Sequence, residues 1–188
     1  MNSLPYLKEI FDRLKRGSHL SPEDEPLFSA LSAQFPAYAE YFAPLGLTLV
    51  RHEREFFYLE PDSQETVPIT LPKTAVFSYI LVDHAANQGR SLEEFIMGQS
   101  FLVSKLPHFT LDRYAALLRQ VEVYAAADLV GILKNMERIG WVKWLGEEEF
   151  RFLRPFHRVF SKCLELSEEA RRAAAAPAEP APTPSPAA

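Results

Sequence analysis

The sequence is poor in cysteine, and its single thiol, Cys163, cannot form a disulfide within one chain. Such a composition is typical of a protein from a reducing compartment. Long apolar runs are also lacking: the longest, Ala75 to Val82, is interrupted by Ser78 and is too short to span a bilayer. The amino-terminal residues have no apolar segment behind a basic head and are typical of an amphipathic helix. We therefore expect a cytoplasmic protein with no membrane partner.

Signatures of catalysis and of cofactor binding are missing as well. No phosphate-binding Gly-x-x-x-x-Gly-Lys followed by Ser or Thr occurs, and the chain has only seven glycines. The five histidines do not follow the spacings of zinc ligands. Asp83 and His84 are adjacent, but neighbouring helix residues do not face each other, which favours a structural role. We expect no enzymatic activity, no metal and no cofactor.

The sequence does contain enough apolar material for a core, since 47% of its 188 residues are hydrophobic and 14 are phenylalanine. The net charge of −5 excludes a general polycation, so any contact with nucleic acid requires a local basic patch.

The first third of the chain predicts three helices followed by a hairpin. Apolar periodicity favours a helix over 4–16, and Ser21-Pro22-Glu23-Asp24 favours the start of a second helix that reaches Gln34. A third helix opens at Pro36 and ends at Leu45-Gly46. The β-branched and aromatic residues 47–60 predict a hairpin. This order is that of a winged helix-turn-helix.

The rest of the chain predicts a second unit of the same kind. Its expected elements are helices over 72–87, Ser91–Gln99, Thr110–Gln120 and 126–139, a hairpin over 141–154 that turns at Gly146-Glu147, and a helix from Pro155 to about Arg172. We predict an N-terminal winged-helix domain over 1–62, a linker over 63–71, a C-terminal winged-helix domain with its terminal helix over 72–173, and a disordered Ala/Pro tail over 174–188.

The two hairpins align without a gap at an offset of 94 residues, which places Gly46 on Gly140 and Glu55-Phe56 on Glu149-Phe150. Repetition at a fixed offset indicates one supersecondary unit used twice. Chance similarity between two amphipathic hairpins is the alternative. The expected fold class is mainly α with small β-hairpin wings, arranged as tandem winged-helix domains.

Several blocks between residues 4 and 165 resemble one family. They include Phe11-Asp-Arg-Leu-Lys-Arg-Gly17, Tyr41-Phe-Ala-Pro-Leu-Gly46, Phe77-Ser-Tyr-Ile-Leu-Val-Asp-His84 and Met136-Glu-Arg-Ile-Gly140. The chain is similar to MksE, the MukE-like subunit of bacterial MukBEF-like condensins and a kleisin-interacting tandem winged-helix protein.

The resemblance implies a homodimer formed chiefly through the N-terminal unit. It also implies binding to an MksF-like kleisin and, through the kleisin, to an MksB-like SMC ATPase that hydrolyses ATP. Such a complex is associated with the nucleoid and serves chromosome organisation and segregation or plasmid defence.

Basic residues collect around the second hairpin. Residues 134–162 contain seven basic and four acidic side chains on a chain of net charge −5. Cations on one surface suit phosphate contacts that do not depend on DNA sequence. The acidic Glu147–Glu149 tip predicts that such binding is weak and occurs within the complex; a solvated surface neutralised by these acids is the alternative. The DNA-contact candidates are Arg138, Lys143, Arg151, Arg154 and Arg158.

The aromatic side chains suggest a protein interface. Phe56, Phe57 and Tyr58 are consecutive, so at least one must leave the buried face of its strand. Trp141 and Trp144 also lie on opposite faces of theirs. We predict that these five residues contact protein partners; the alternative is that the chain's own elements cover both faces.

A winged-helix transcription regulator is the competing function. Direct base readout requires a basic recognition helix. The helix before the second hairpin has only Lys134 and Arg138 as cations, opposed by Asp128 and Glu137, and the helix before the first hairpin has none. This composition favours the condensin subunit.

Overall fold

The computed structural model describes residues 4–61, 71–159 and 161. Its first unit contains three helices and a hairpin, which confirms the predicted order. The bounds are α1 Leu7–Lys15, α2 Leu27–Ala33, α3 Phe35–Phe42, β1 Leu47–His52 and β2 Phe56–Pro61. A single 3₁₀ turn, Ala43–Leu45, ends at Gly46, whose φ of 69° lets the chain reverse into β1.

The predicted start of the second helix at Ser21–Asp24 is wrong. Residues 22–26 form turns, and α2 begins only at Leu27. Pro26 lacks the amide hydrogen that a continuing helix needs, and its ring disfavours a helical conformation at Glu25. The Asp24 carboxylate instead accepts a hydrogen bond from the backbone N–H of Ser21, at 3.0 Å. Its side chain therefore closes a turn and does not cap a helix.

Between residues 71 and 152 the second unit has four α-helices and a three-stranded antiparallel sheet. Its elements are α4 Leu71–Asn87, α5 Leu92–Met97, β3 Ser100–Leu102, α6 Asp112–Gln120, α7 Ala126–Arg138, β4 Val142–Trp144 and β5 Glu149–Phe152. The strand order is β3-β5-β4. The segment 100–109, which lies between the predicted helices Ser91–Gln99 and Thr110–Gln120, contains β3 and two 3₁₀ turns.

Each unit has its own hydrophobic core. The first is built around Ile10, Leu14, Leu31, Tyr38, Phe42 and Phe57. The second is larger and includes Phe77, Leu81, Tyr114, Leu133, Met136 and Phe150. In α1 the buried Ile10 and Leu14 are four residues apart, so they lie on one face of the helix and fix it against the hairpin.

The internal repeat is visible in the strand pairing. Leu20 forms an isolated antiparallel bridge with Phe57, and Ser100 of β3 pairs with Arg151, the residue 94 positions after Phe57. The first strands of the two hairpins follow a different offset. Tyr58 pairs with Val50 in the first hairpin, and Phe152, 94 positions after Tyr58, pairs with Val142 in the second. Val142 is only 92 positions after Val50. The gap-free alignment therefore holds for β2 and β5 but is shifted by two residues for β1 and β4.

Several expectations fall on residues that the structure does not describe. These are residues 63–70 of the predicted linker, Cys163, the end of the last helix and the Ala/Pro tail; Leu71, the last residue of the predicted linker, is the first residue of α4. After β5, residues 154–156 form a 3₁₀ turn, and residues 157–159 and 161 are helical. Within the described ranges, every helix is too short or too polar to cross a membrane.

Candidate functional site at the junction of the two units

The segment that follows α1 packs against the end of α7 and joins the two units. The backbone N–H of His19 donates a hydrogen bond to the carbonyl of Ile139, at 3.0 Å. The Ser18 hydroxyl donates to the carbonyl of Arg138, at 2.9 Å. Because the last carbonyls of a helix have no partner within the helix, these two bonds cap α7 with groups from the other unit. We call this contact region, with the hairpins on either side, the interunit junction.

Gly140 lets the two backbones approach at the junction. Its φ is +78°, a conformation that disfavours residues with a side chain. A Cβ atom at this position would lie 2.9 Å from the carbonyl oxygen of His19. Glycine is therefore required here for its conformation and for its small size.

The imidazole of His19 is buried in the junction and neutral at pH 7. Its Nδ1 lies 3.0 Å from the Ile139 carbonyl oxygen, which can only accept, so Nδ1 carries the proton. Its Nε2 then accepts a hydrogen bond from the guanidinium of Arg158, at 3.0 Å. Burial lowers the pKa of His19 from 6.5 to about 4; the bond to Ile139 opposes this shift, and the positive charge of Arg158 adds to it.

Aromatic rings surround His19 from both units. The ring centroids of Phe56, Tyr58 and Trp141 lie 5.8, 5.7 and 5.8 Å from the imidazole centroid. The guanidinium of Arg158 lies 3.7 Å from the centroid of Tyr58, within the range of a cation–π contact. The junction is thus an apolar cluster closed by an arginine.

All three consecutive aromatic residues of β2 are covered by the chain itself. Phe56 and Phe57 are 0% exposed and Tyr58 is 9% exposed. Phe57 belongs to the first core, whereas Phe56 and Tyr58 pack around His19, and Tyr58 also contacts Arg158 of the second unit. The side chains do leave the buried face of the strand, as expected, but residues of the same chain cover them, among them His19 and Arg158.

The two tryptophans are partly buried on the second unit. Trp141 contacts His19 and Phe156, and Trp144 packs against Phe150 with ring centroids 5.8 Å apart. Their contact with a protein partner stays a prediction.

Four of the five DNA-contact candidates form ion pairs with the first unit. Lys143 and Arg151, opposite each other on β4 and β5, both bind the carboxylate of Glu23, at 3.1 and 2.8 Å. The hydrogen bond from Lys143 is the main cause of the lowered pKa of Glu23. Further along the chain, Arg154 pairs with Glu55, and Arg158 lies 3.8 Å from Glu60.

Arg138, the fifth candidate, is exposed, and its guanidinium has no ion pair among the described residues.

One further ion pair crosses the junction with its charges reversed: the cation belongs to the first unit and the carboxylate to the second. Arg54 of the first hairpin turn donates to Glu93 at 2.6 Å and to Nε2 of His157 at 3.2 Å. Arg54 is the main cause of the lowered pKa of Glu93, whereas burial is that of His157.

Most first-unit residues of the junction were not anticipated as site residues. Ser18 belongs to no motif, and His19 had been considered only for metal spacing. Glu23 and Glu55 had been assigned only to a helix start and to the repeat. The one available signal was the opposite charge at equivalent repeat positions, Glu60 against Arg154.

Asp83 and His84 have separate partners. Asp83 accepts hydrogen bonds from Tyr114 and Arg113, at 2.7 and 2.6 Å, whereas His84 contacts Gln88 at 2.9 Å. Within 4–61, 71–159 and 161, no three His, Cys, Asp or Glu side chains are arranged to hold a metal ion. The contacts of Asp83 join α4 to α6, as a structural role requires.

A search of curated proteins found no match for the chain. The family model described as "Condensin complex protein MksE" matches residues 5–164. The match includes both units, the segment between them and every contact of the junction, and it covers well over half of the 188 residues. The chain therefore belongs to the MksE family and is a subunit of a condensin complex.

Proposed function

We propose that the chain is a non-catalytic accessory subunit that binds the MksF-like kleisin of its condensin. Through the kleisin it joins the MksB-like SMC ATPase, which carries out ATP hydrolysis. The observation that supports this proposal is the charge of the surfaces that a DNA-reading protein would use. Helix α3 has Glu40 as its only charged residue, and four cations around the second hairpin are already paired with carboxylates of the first unit.

The alternative, a winged-helix transcription regulator, lacks comparable support. A recognition helix contacts base edges through Arg, Lys, Asn or Gln. Helix α7 offers Lys134, Asn135 and Arg138 over its thirteen residues, and α3 offers none. Protein contacts therefore explain the described surface better than base readout does.

Dimerisation through the first unit is part of the proposal. Tyr41 on α3 is 50% exposed and Leu45, in the turn after it, is 54% exposed. Exposed aromatic and aliphatic side chains close together are typical of protein interfaces. They give the first unit an apolar surface for a second copy that does not involve the buried aromatics of the junction.

DNA binding in this proposal is weak and belongs to the assembled complex, in the cytoplasm and at the nucleoid. The complex serves chromosome organisation and segregation or plasmid defence. Deleting the gene distinguishes the two: the first predicts missegregated nucleoids, and the second predicts increased retention of plasmids with normal nucleoids.

Co-expression with the kleisin tests the proposal. The chain and its MksF-like kleisin are purified together, and their mass is measured by size exclusion with light scattering. We expect a stable complex with two copies of the chain. Tyr41→Arg should reduce this to one copy per kleisin, whereas Tyr124→Arg, at a 68% exposed position of the second unit, should have no effect. The proposal would be contradicted if the chain did not bind the kleisin and instead shifted the electrophoretic mobility of one specific DNA duplex at high salt.

A further inference from the structure

The paired cations lie on the second hairpin and on the segment that directly follows it. Lys143 and Arg151 are direct neighbours across β4 and β5. Arg154 begins the 3₁₀ turn that follows β5, and Arg158 is four residues further, in the helical segment that starts at His157. We call these four residues the wing cations: Lys143, Arg151, Arg154 and Arg158.

Three carboxylates of the first unit contact these four cations. Glu23 binds two neighbouring cations at once, as a backbone phosphate does when it lies between two basic side chains. Glu55 and Glu60 contact the next two positions. We call Glu23, Glu55 and Glu60 the facing carboxylates. Their spacing supplies the wing cations with the negative charge that a nucleic-acid strand would otherwise bring.

The wing cations remain accessible to a ligand although they are paired. Between 36% and 49% of each of their side chains is exposed to solvent. Partly exposed ion pairs contribute little to stability and are screened by salt. An anion of higher charge density can therefore replace the carboxylates without separating the two units. The junction is also held by contacts that do not involve these carboxylates: the hydrogen bonds of Ser18 and His19, the pair between Arg54 and Glu93, and the contacts of Arg158 with His19 and Tyr58.

We propose that the wing cations are a binding site for the phosphate backbone of duplex DNA and that the facing carboxylates occupy this site in the free chain. The chain thus inhibits its own DNA binding until phosphates or a partner displace the carboxylates. This proposal deepens the weak DNA contact of the proposed function and rests on it. On this proposal, a chain of net charge −5 carries a basic surface that has little affinity for nucleic acid outside its complex.

The test neutralises the facing carboxylates in the full chain. The variant Glu23→Gln/Glu55→Gln/Glu60→Gln is titrated into a labelled duplex of arbitrary sequence, and anisotropy is followed at several salt concentrations. We expect the affinity at about 50 mM salt to rise roughly 10-fold or more, and the slope of log K against log salt to steepen by about one per cation engaged. An unchanged affinity and slope would overturn the proposal.

The matched control is Glu40→Gln/Glu94→Gln/Glu122→Gln, which changes the net charge equally. These glutamates are exposed, and their carboxylates have no ion pair in the described part of the chain. We expect the control to raise affinity less than about twofold, since it releases no cation. An equal rise in control and test variants would mean a general charge effect and would overturn the proposal.

A second arm removes the cations. Adding Arg151→Gln and Arg154→Gln to the test variant should abolish most of the gain, and a gain that survives would place the site elsewhere. Should the triple variant fail to fold by circular dichroism, the single variants decide. Glu23→Gln, which releases two cations, should then gain more than Glu60→Gln, whose carboxylate is 3.8 Å from its partner; the reverse order would contradict the proposal.

Two further measurements test which nucleic acid is bound and whether the result depends on kleisin binding. Tighter binding of the test variant to single-stranded RNA than to duplex DNA would overturn the assignment of the ligand. The test variant is also purified with the kleisin. A normal complex without a gain in DNA affinity would disprove self-inhibition alone, whereas loss of the complex in the unmodified chain would disprove the proposed function.

Discussion

The outgoing strands of the two hairpins occupy equivalent places in their units but carry opposite chemistry. Phe57 on β2 pairs with Leu20 and is fully buried in the first core. Arg151, at the equivalent position of β5, pairs with Ser100 and directs its guanidinium to Glu23. The same backbone position thus contributes to a core in one unit and to the contact between units in the other.

This difference shows how two copies of one fold can acquire surfaces that complement each other. The backbone pairing of a hairpin depends little on which side chains its open face carries. The first copy has acidic and aromatic residues there, such as Glu60 and Tyr58, and the second has cations, such as Arg154. Charge and apolar area on the two copies then match across the junction.

The largest expected effect tests the equivalent positions directly. Phe57→Ala should lower the free energy of unfolding by about 3–5 kcal/mol, because it leaves a cavity in the first core. Arg151→Ala removes only a partly exposed ion pair and should cost less than about 1 kcal/mol. Urea unfolding followed by circular dichroism measures both. Losses of equal size would mean that the two positions do not differ as described.

The second prediction concerns pH and compares the junction with the second core. His19 and His108 are both buried, and burial lowers the pKa of each from 6.5 to about 4. Between these values the unfolded chain binds more protons than the folded chain, so stability falls as pH falls from 6.5 to 4, by about 3 kcal/mol per histidine.

His19→Gln should therefore flatten the dependence of unfolding free energy on pH by about half of this histidine contribution. The partly exposed His84→Gln serves as the control. Urea unfolding at a series of pH values provides the slope. If His19→Gln and His84→Gln have the same slope as the unmodified chain, the imidazole of His19 is not held neutral at the junction.

The third prediction uses two glycines with nearly the same backbone conformation. Gly140 and Gly17 have φ values of +78° and +79°. Only Gly140 has an atom of the other unit close to its missing Cβ; Gly17 has none within 4 Å among the described residues. Gly140→Ala should cost about 2–3 kcal/mol and Gly17→Ala about 1 kcal/mol, measured by thermal unfolding. Equal costs would show that the close approach at the junction does not contribute.

The smallest expected effect is that of one ion pair across the junction. Arg154→Glu should lower stability by about 0.5–1 kcal/mol, because it places two carboxylates together. Adding Glu55→Arg restores opposite charges with their positions exchanged and should recover most of the loss in a double-mutant cycle. Arg138→Glu, whose parent side chain has no described ion pair, provides the control. Additive effects of the two substitutions would argue against the pair.

The helices and hairpins with local signals could be predicted from the sequence. Helix α7 and both hairpins have a clear apolar period and end or turn at residues suited to it, among them Gly46 and Gly140. Strand β3 has only three residues and exists through its pairing with β5, about 50 positions later in the sequence. The start of α2 was misplaced because Ser21-Pro22 imitates a helix start and Pro26 overrides it.

Of the ion pairs between the wing cations and the facing carboxylates, the sequence predicted the cations but not the carboxylates, because these contacts also join residues that are distant in the sequence. The local excess of positive charge identified the wing cations, because charge density is a property of a short segment. Their partners lie far away in sequence: Glu23 is 120 residues from Lys143 and 128 from Arg151, and Glu55 is 99 from Arg154. No spacing rule links such residues, so only the packing of the two units shows that the charges are matched.

The close backbone approach of Gly140 and His19 also limits which first units can be combined with which second units during evolution. A first unit taken from another protein would have to bring a segment that caps α7 and a set of carboxylates in register with the cations of the second hairpin. Recombination at the linker would break both requirements at once. The halves should therefore be transmitted together, and substitutions at Glu23, Glu55 and Arg154 should be tolerated in compensating sets more readily than singly.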